Sequence, residues 1–367
     1  MSSVTDRKSN KMQLGHSTAY YAQTTNLTRA LQRNFPMNIN HDLRQLSLID
    51  WLENDLLLTI EQFEPASSDA SFRRYFRVTT PDGCFIVMDA PPERESTGAF
   101  IRVAQWMAQA ALRVPTIYHQ NQDEGFLLLE DFGSQSYLDV LNTQNADDLY
   151  QRAFDTLFLL QSPAVLQAVE LPCYDAALLT RELEIFKEWF IGELLDCEMP
   201  EALWANTQAV LIQSALEQPV CCVHRDYHSR NLMVLDNHQV GVLDFQDAVS
   251  GPITYDVVSL LRDCYIAWPD ERIDAWCQLY FERLIAAGRV SCSFAQFKRG
   301  FDLMGMQRHL KAIGIFSRLH LRDGKPNYLQ DIPRTLHYVL NVCMHHPELA
   351  EFVPFLRDQV IPAYGAY

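Results

Sequence analysis

Between Val223 and Asp247 the chain reads VHRDYHSRNLMVLDNHQVGVLDFQD, and four polar side chains in it stand at telling distances. His224, Asp226 and Asn231 follow the order H-x-D-x-x-x-x-N, and Asp244 comes thirteen residues after Asn231, inside Asp-Phe-Gln-Asp. A carboxylate at Asp226 can accept the proton of an attacking hydroxyl. Asn231, on the same loop, offers a neutral oxygen to a magnesium ion, and Asp244 offers a charged one. Magnesium takes hard oxygen ligands in near-octahedral geometry and keeps several waters, so one or two carboxylates plus nucleotide phosphates suffice to hold it. That combination is the chemistry of phosphoryl transfer. A lone His-x-Asp is commonplace as a hydrogen-bonded turn; the joint spacing is what carries the reading.

Such groups need rigid supports. The apolar runs Val220–Val223, Leu232–Leu235 and Val240–Leu243 read as short buried strands, with Asp236, Asn237 and His238 as a turn. Upstream, Leu46–Leu57 is helix-like and strands are expected at Leu58–Phe63, Tyr75–Thr79 and Phe85–Met88, the last two joined by the turn Pro81-Asp82-Gly83. Ser96 or Thr97 can cap a helix running to about Leu112, with Phe100, Val103, Ala104, Met107 and Ala111 on one face. Strands return at Thr116–His119 and Gly125–Leu129. Beyond Glu130–Ser134 the pattern turns helical, including Leu178–Phe190, a helix entered at Pro200, Glu271–Ala287 and a long one over Phe294–Leu319. The chain therefore reads as α+β and bilobal. Residues 1–41 form a loosely packed extension with a short helix near Leu27–Gln32. A small β-rich N-lobe occupies 42–132 and a larger, mainly helical C-lobe 133–367.

With 367 residues, 48% of them hydrophobic, the chain can bury a large core. A net charge of −16 disfavours a nucleic-acid surface or docking on anionic lipid, both of which reward clustered Lys and Arg. Nine cysteines without a C-x-x-C pair suit free thiols in a reducing compartment, and no apolar run is long enough to span a bilayer. A cytoplasmic protein, monomeric or weakly dimeric, with no nucleic-acid or membrane partner is expected.

The motif and its flanks resemble the aminoglycoside phosphotransferase and choline kinase superfamily, which has a bilobal protein-kinase-like fold. Three further stretches, Ser68–Arg77, Val87–Glu93 and Gln307–Lys311, resemble bacterial anomeric sugar kinases acting on N-acetylmuramate and N-acetylglucosamine. The similarity runs from about Ser47 to the C-terminus. It implies transfer of a phosphoryl group from ATP, with Mg2+, to the anomeric hydroxyl of an amino sugar, giving a 1-phosphate used in cell-wall recycling. It also implies that Asp226 is the base, that Asn231 and Asp244 hold the metal, that His224 orients the loop, and that Asp256 is structural. Adenine would meet backbone groups around Glu130, Asp131 and Phe132.

One departure stands out. Relatives place a Lys on the third strand for the α and β phosphates, whereas this chain has no Lys between Lys11 and Lys187. Arg73 and Arg74, beside the loop containing Ser71, are the expected substitutes. Alternation sets Arg74 with Phe76 and Val78, and Arg73 with Tyr75 and Arg77; Arg74 is preferred for its fork, although both can equally lie on a solvated edge.

Acceptor recognition is expected from the helical lobe. Arg308, Lys311 and Arg318 lie within about 80° of one another on a helix, a strip able to read a carboxylate such as a lactyl group, or simply to face solvent. Glu182 and Trp189, with Glu184, Phe186 and Phe190, offer polar groups beside aromatic faces, which suit a sugar, although aromatics at helical spacing more often form core. Tyr227, His228 and Arg230 lie inside the catalytic loop, where at least one should touch acceptor or phosphate. The rivals are another small-molecule kinase, acting on choline, homoserine or an aminoglycoside, and a non-catalytic nucleotide-binding module. A protein kinase fits poorly, because Gly251-Pro252 leaves little room for an activation segment.

Overall fold

A computed structural model of the chain describes residues 43–67, 72–168, 170–236 and 239–366. The extension 1–41 with its short helix, Ser71, and the turn residues Asn237 and His238 lie outside the described residues. Internal contacts divide the chain into two units, Met1–Thr59 and Ile60–Tyr367. In the first, helix α1 (Leu43–Asp50) continues into a wider π-helical stretch, Trp51–Asp55.

The second unit opens with a five-stranded antiparallel sheet formed by β1 (Gln62–Ser67), β2 (Arg74–Thr80), β3 (Gly83–Asp89), β4 (Ile117–Asn121) and β5 (Phe126–Glu130), in the order β1-β2-β3-β5-β4. Period-two alternation decides its faces. On β2, Phe76, Val78 and Thr80 are buried while Tyr75, Arg77 and Thr79 are half-buried. Between β3 and β4 runs α2 (Thr97–Gln109), whose N-cap Ser96 Oγ accepts from Gly98 N at 3.1 Å. Phe100, Val103, Ala104 and Met107 are buried along it, as its periodicity requires. Ala111 is not: the helix stops two residues earlier, and Ala111 sits exposed in the left-handed region at φ 61°.

After Glu130 the chain is mainly helical: α3 (Tyr137–Val140), α4 (Ala146–Leu160), α5 (Pro163–Ala168), α6 (Ala176–Ile185, widening into a π-helical run Phe186–Leu194) and α7 (Glu201–Leu216). Two small ribbons follow. β6 (Val220–Val223) pairs with β9 (Val249–Pro252), and between them β7 (Leu232–Val234) pairs with β8 (Val240–Val242). Helices α8 (Tyr255–Leu261), α9 (Asp270–Ala286), α10 (Phe294–Leu321) and α11 (Ile332–His345) complete the bulk of the lobe. This is the bilobal, kinase-like α+β architecture expected from the sequence.

Two glycines mark where elements meet too closely for a side chain. A Cβ on Gly314 of α10 would lie 2.5 Å from the carbonyl oxygen of Ile185, so glycine is what lets α10 press on the end of α6. A Cβ on Gly241 of β8 would lie 2.7 Å from the ring of Phe132, which brings the ribbon against the segment leaving the sheet. Val242 N also donates to Arg113 O at 2.8 Å, tying the ribbon to the end of α2's connection. All nine cysteines are unbonded, and no described helix is long and apolar enough to cross a membrane.

Candidate active site

The loop from His224 to Asn231 leaves the buried end of β6 and is pinned from behind by two carboxylates, one at each end of α8. Asp256, at the start of α8, is fully buried and accepts from His224 N at 2.7 Å and Arg225 N at 3.0 Å. Asp263, seven residues on and just past the end of α8, accepts from Ser229 N at 2.9 Å and Tyr265 N at 2.9 Å. Inside the loop His228 N donates to Asp226 O at 3.1 Å, and Asn231 Nδ2 to the same oxygen at 3.0 Å. Leu243 N donates to Asn231 O at 2.9 Å, which brings Asp244 beside Asn231, with Nδ2 to Oδ2 at 3.5 Å. Both Arg225 (φ 78°) and Asp244 (φ 61°) are non-glycine residues in the left-handed region. Such torsions cost on the order of 1–3 kcal/mol each and persist only where surrounding bonds over-determine them, as here.

Magnesium suits these donors. The Asn231 nitrogen is committed to Asp226 O, which turns its oxygen elsewhere, and Asp244 adds a carboxylate steadied by Gln246 Nε2 at 2.7 Å. Two hard oxygens match an ion that takes its remaining ligands from phosphates and water. No cluster of three or more His, Cys, Asp or Glu able to cage a metal occurs among the described residues.

Two cavities flank the loop. The larger, about 490 Å³, has apolar walls from Ile86, Leu129, Phe132 and Phe245, with Asn231 and Asp244 at one end and Glu130 and Asp131 in its lining. The smaller, about 120 Å³, is lined by Asp226, His228, Asp263, Tyr265, Arg308 and Lys311, among others. Asp226 is held below the ordinary carboxylate range: burial raises it, but Lys311, His228, Arg308 and Arg225 outweigh that. Burial lowers His224 to about 4, so that ring is neutral near pH 7, and lowers His228 as well.

The sequence-derived residues divide between these places. Glu130, Asp131, Phe132, Arg230, Asn231 and Asp244 line the large cavity; Asp226, His228, Arg308 and Lys311 line the small one. Arg77 also lines the large cavity, bonded through Nε and Nη2 to Asp131 at 2.6 and 2.9 Å. Arg74 lies on the opposite face of β2, with Phe76, and pairs with Asp89; Arg73 pairs with Glu95. Arg230 stacks its guanidinium 3.5 Å above the Tyr265 ring. Tyr227 is fully buried, its hydroxyl donating to Ala153 O at 2.8 Å, so it braces the loop from the core. Trp189 is half-buried on the π-helical run and lines neither cavity.

Glu182 is not an open sugar-binding group but a buried junction. It pairs with Arg225 and, at 3.1 Å, with Lys311, and accepts from Tyr174 Oη and, at 3.1 Å, from Gln307 Nε2. Burial raises its pKa, yet Lys311 and Arg225 pull it down to about 2. Nor does the α10 strip face solvent at Arg308 and Lys311: both are turned inward beside Asp226. Sequence reasoning missed Asp263 and Tyr265. Asp263's one signal is its i+7 spacing from Asp256.

Residues 62–291 match the model of the "Phosphotransferase enzyme family". An N-acetylmuramate/N-acetylglucosamine kinase of Pseudomonas putida is 45% identical, over 87% of this chain and 97% of the relative. One from Neisseria meningitidis serogroup B is 40% identical over 86% and 96%. Among solved structures, a choline kinase from Streptococcus pneumoniae superposes with a TM-score of 0.60 at 11% identity, covering 81% of this chain and 99% of that one. An ADP-bound aminoglycoside phosphotransferase gives 0.52 at 14% identity, covering 80% and 97%.

Proposed function

This chain belongs to the phosphotransferase enzyme family, and on that premise we propose that it uses ATP to phosphorylate the anomeric hydroxyl of an amino sugar, N-acetylmuramate or N-acetylglucosamine. The chain is a nucleotide-using phosphotransferase with a hydroxyl acceptor. The observation that carries the reading is the division of labour across one loop: Asp226 opens on the small cavity, while Asn231 and Asp244 open on the large one. The choice of acceptor is supported by the high identity to kinases of those two sugars over nearly the whole chain.

ATP enters the large cavity, its base against the apolar walls and its phosphates toward Asn231 and Asp244. These two would hold Mg2+, which when bound neutralises charge on the phosphates. Arg230, which makes no ion pair among the described residues, supplies a phosphate cation from the loop itself and takes the part of the missing strand Lys. The sugar presents its anomeric oxygen to Asp226. That carboxylate is ionised at neutral pH, so it can align the hydroxyl with the γ-phosphate and accept its proton as the sugar oxygen bonds to the γ-phosphorus and the bond from that phosphorus to the β,γ-bridging oxygen breaks, releasing ADP. His224 and Asp256 hold the loop in the conformation this requires. Cations in the small cavity disfavour an amine acceptor such as choline or an aminoglycoside.

Incubation with magnesium-ATP and a panel of free sugars, amino alcohols and aminoglycosides, read by product mass, tests the proposal. A sugar 1-phosphate is expected, and none should form from the corresponding 1-O-methyl glycoside. Labelling of choline or an aminoglycoside alone would overturn the acceptor assignment.

A further inference from the structure

Arg308 is the anomaly of the small cavity. It is only 9% exposed, yet it makes no ion pair and no hydrogen bond among the described residues, and its Nε is an unpartnered buried atom. Its one packing partner of note is the ring of Tyr255, 5.1 Å away. A buried guanidinium with no carboxylate in contact is costly even with the charges of Asp226 and Asp256 near it, and Lys311 shows the ordinary remedy, a carboxylate partner in Glu182. Two further polar atoms of the lining, His228 Nδ1 and Ser259 Oγ, are also buried and unpartnered. Further along the same face of α10 the lining is apolar, from Ala312, Ile315 and Phe316.

The size of the cavity narrows its occupant. A dry cavity of about 150 Å³ takes a benzene ring, so 120 Å³ takes a branch of about that size and not a whole hexosamine. We propose that Arg308 reads the carboxylate of the 3-O-lactyl arm of N-acetylmuramate, with the arm's methyl against Ala312, Ile315 and Phe316 and its anomeric hydroxyl at Asp226. This makes Arg308 the specificity residue between the carboxylated sugar and the uncharged one. The inference rests on the amino-sugar reading above.

The test is the ratio of kcat/KM for N-acetylmuramate to that for N-acetylglucosamine, in wild type, Arg308→Ala and Arg308→Lys. A charge-assisted hydrogen bond of this kind is worth roughly 10- to 100-fold. The ratio should fall by that factor in Arg308→Ala and recover in part in Arg308→Lys. Any effect of Arg308 on Asp226 or on phosphate lowers both rates alike and leaves the ratio unchanged, which would overturn the inference. Wild-type protein supplies a second readout that does not depend on a variant folding. The methyl ester of N-acetylmuramate should lose a similar factor relative to the acid, and equal turnover of ester and acid would sink the idea. If wild type phosphorylates both sugars but the ratio does not move, only this inference fails. If it phosphorylates neither, the amino-sugar reading falls and takes this one with it.

Discussion

The two cavities on either side of the catalytic loop are built on opposite plans. The proposed nucleotide side is wide, with apolar walls, and its strand arginine is paired with Asp131. The proposed acceptor side is small and lined by polar and charged side chains, Asp226 on the loop, Asp263 just past α8, and Arg308 and Lys311 on α10. A wide apolar slot with a few oxygens at its end accepts any nucleotide of the right shape. A small pocket of fixed charges accepts one pattern of hydroxyls and anions. On the proposed reading, generality resides in the sheet and discrimination in the helices, with one loop facing both.

Substitutions can break this comparison. Asp244→Ala should abolish magnesium-dependent nucleotide binding in calorimetry, since the large cavity loses the carboxylate that lies beside Asn231; retained binding would move the metal elsewhere. Asp226→Asn should lower turnover by about 10² to 10⁴, while nucleotide affinity and the melting transition stay near wild type. Activity within a few-fold of wild type would remove Asp226 from the chemistry. Glu182→Gln acts on structure: it strips the countercharge from buried Arg225 and Lys311, and breaking such a pair costs roughly 3–5 kcal/mol of stability in urea denaturation. A cost below about 1 kcal/mol would mean that these cations find other partners.

The smallest effect concerns the loop shared by both sides, where two buried groups titrate in opposition. His224 is lowered to about 4, so as pH falls from 6.5 toward 4 the unfolded chain takes up a proton that the folded ring refuses, and stability is lost. Asp256 is raised by burial to about 7, despite its two backbone amides, so it binds its proton in the fold first. Its contribution is fully present below 3.8 and is lost as pH rises through 7. In wild type the two offset each other. Asp256→Asn should unmask the histidine: relative to wild type it should lose roughly 3 kcal/mol between pH 7 and 4.5. Parallel pH profiles for the two proteins would contradict these assignments.

What the sequence disclosed depended on how locally each feature is encoded. The loop was legible because its groups lie within 21 residues, between strands whose apolar runs announce them. The α10 strip was visible as a strip, but whether it faces solvent or core depends on α6, more than a hundred residues earlier, and on the close crossing at Gly314. Alternation separated Arg74 from Arg77 correctly, yet gave no means of telling which face of β2 would meet the cleft. That choice is made by what meets each face: Tyr75 and Arg77 line the large cavity, while Phe76 stacks on Phe63 on the other side. Glu182 and Trp189 read alike in a one-dimensional pattern, whereas in space one joins four polar partners and the other lines neither cavity.

The left-handed torsions at Arg225 and Asp244 set heat tolerance against turnover at two positions. Glycine relaxes both backbones but removes from each the side chain for whose sake the torsion is tolerated. A randomised library selected only for survival of heating would therefore drift toward glycine or asparagine at residue 244, while one selected for product formation would keep aspartate there.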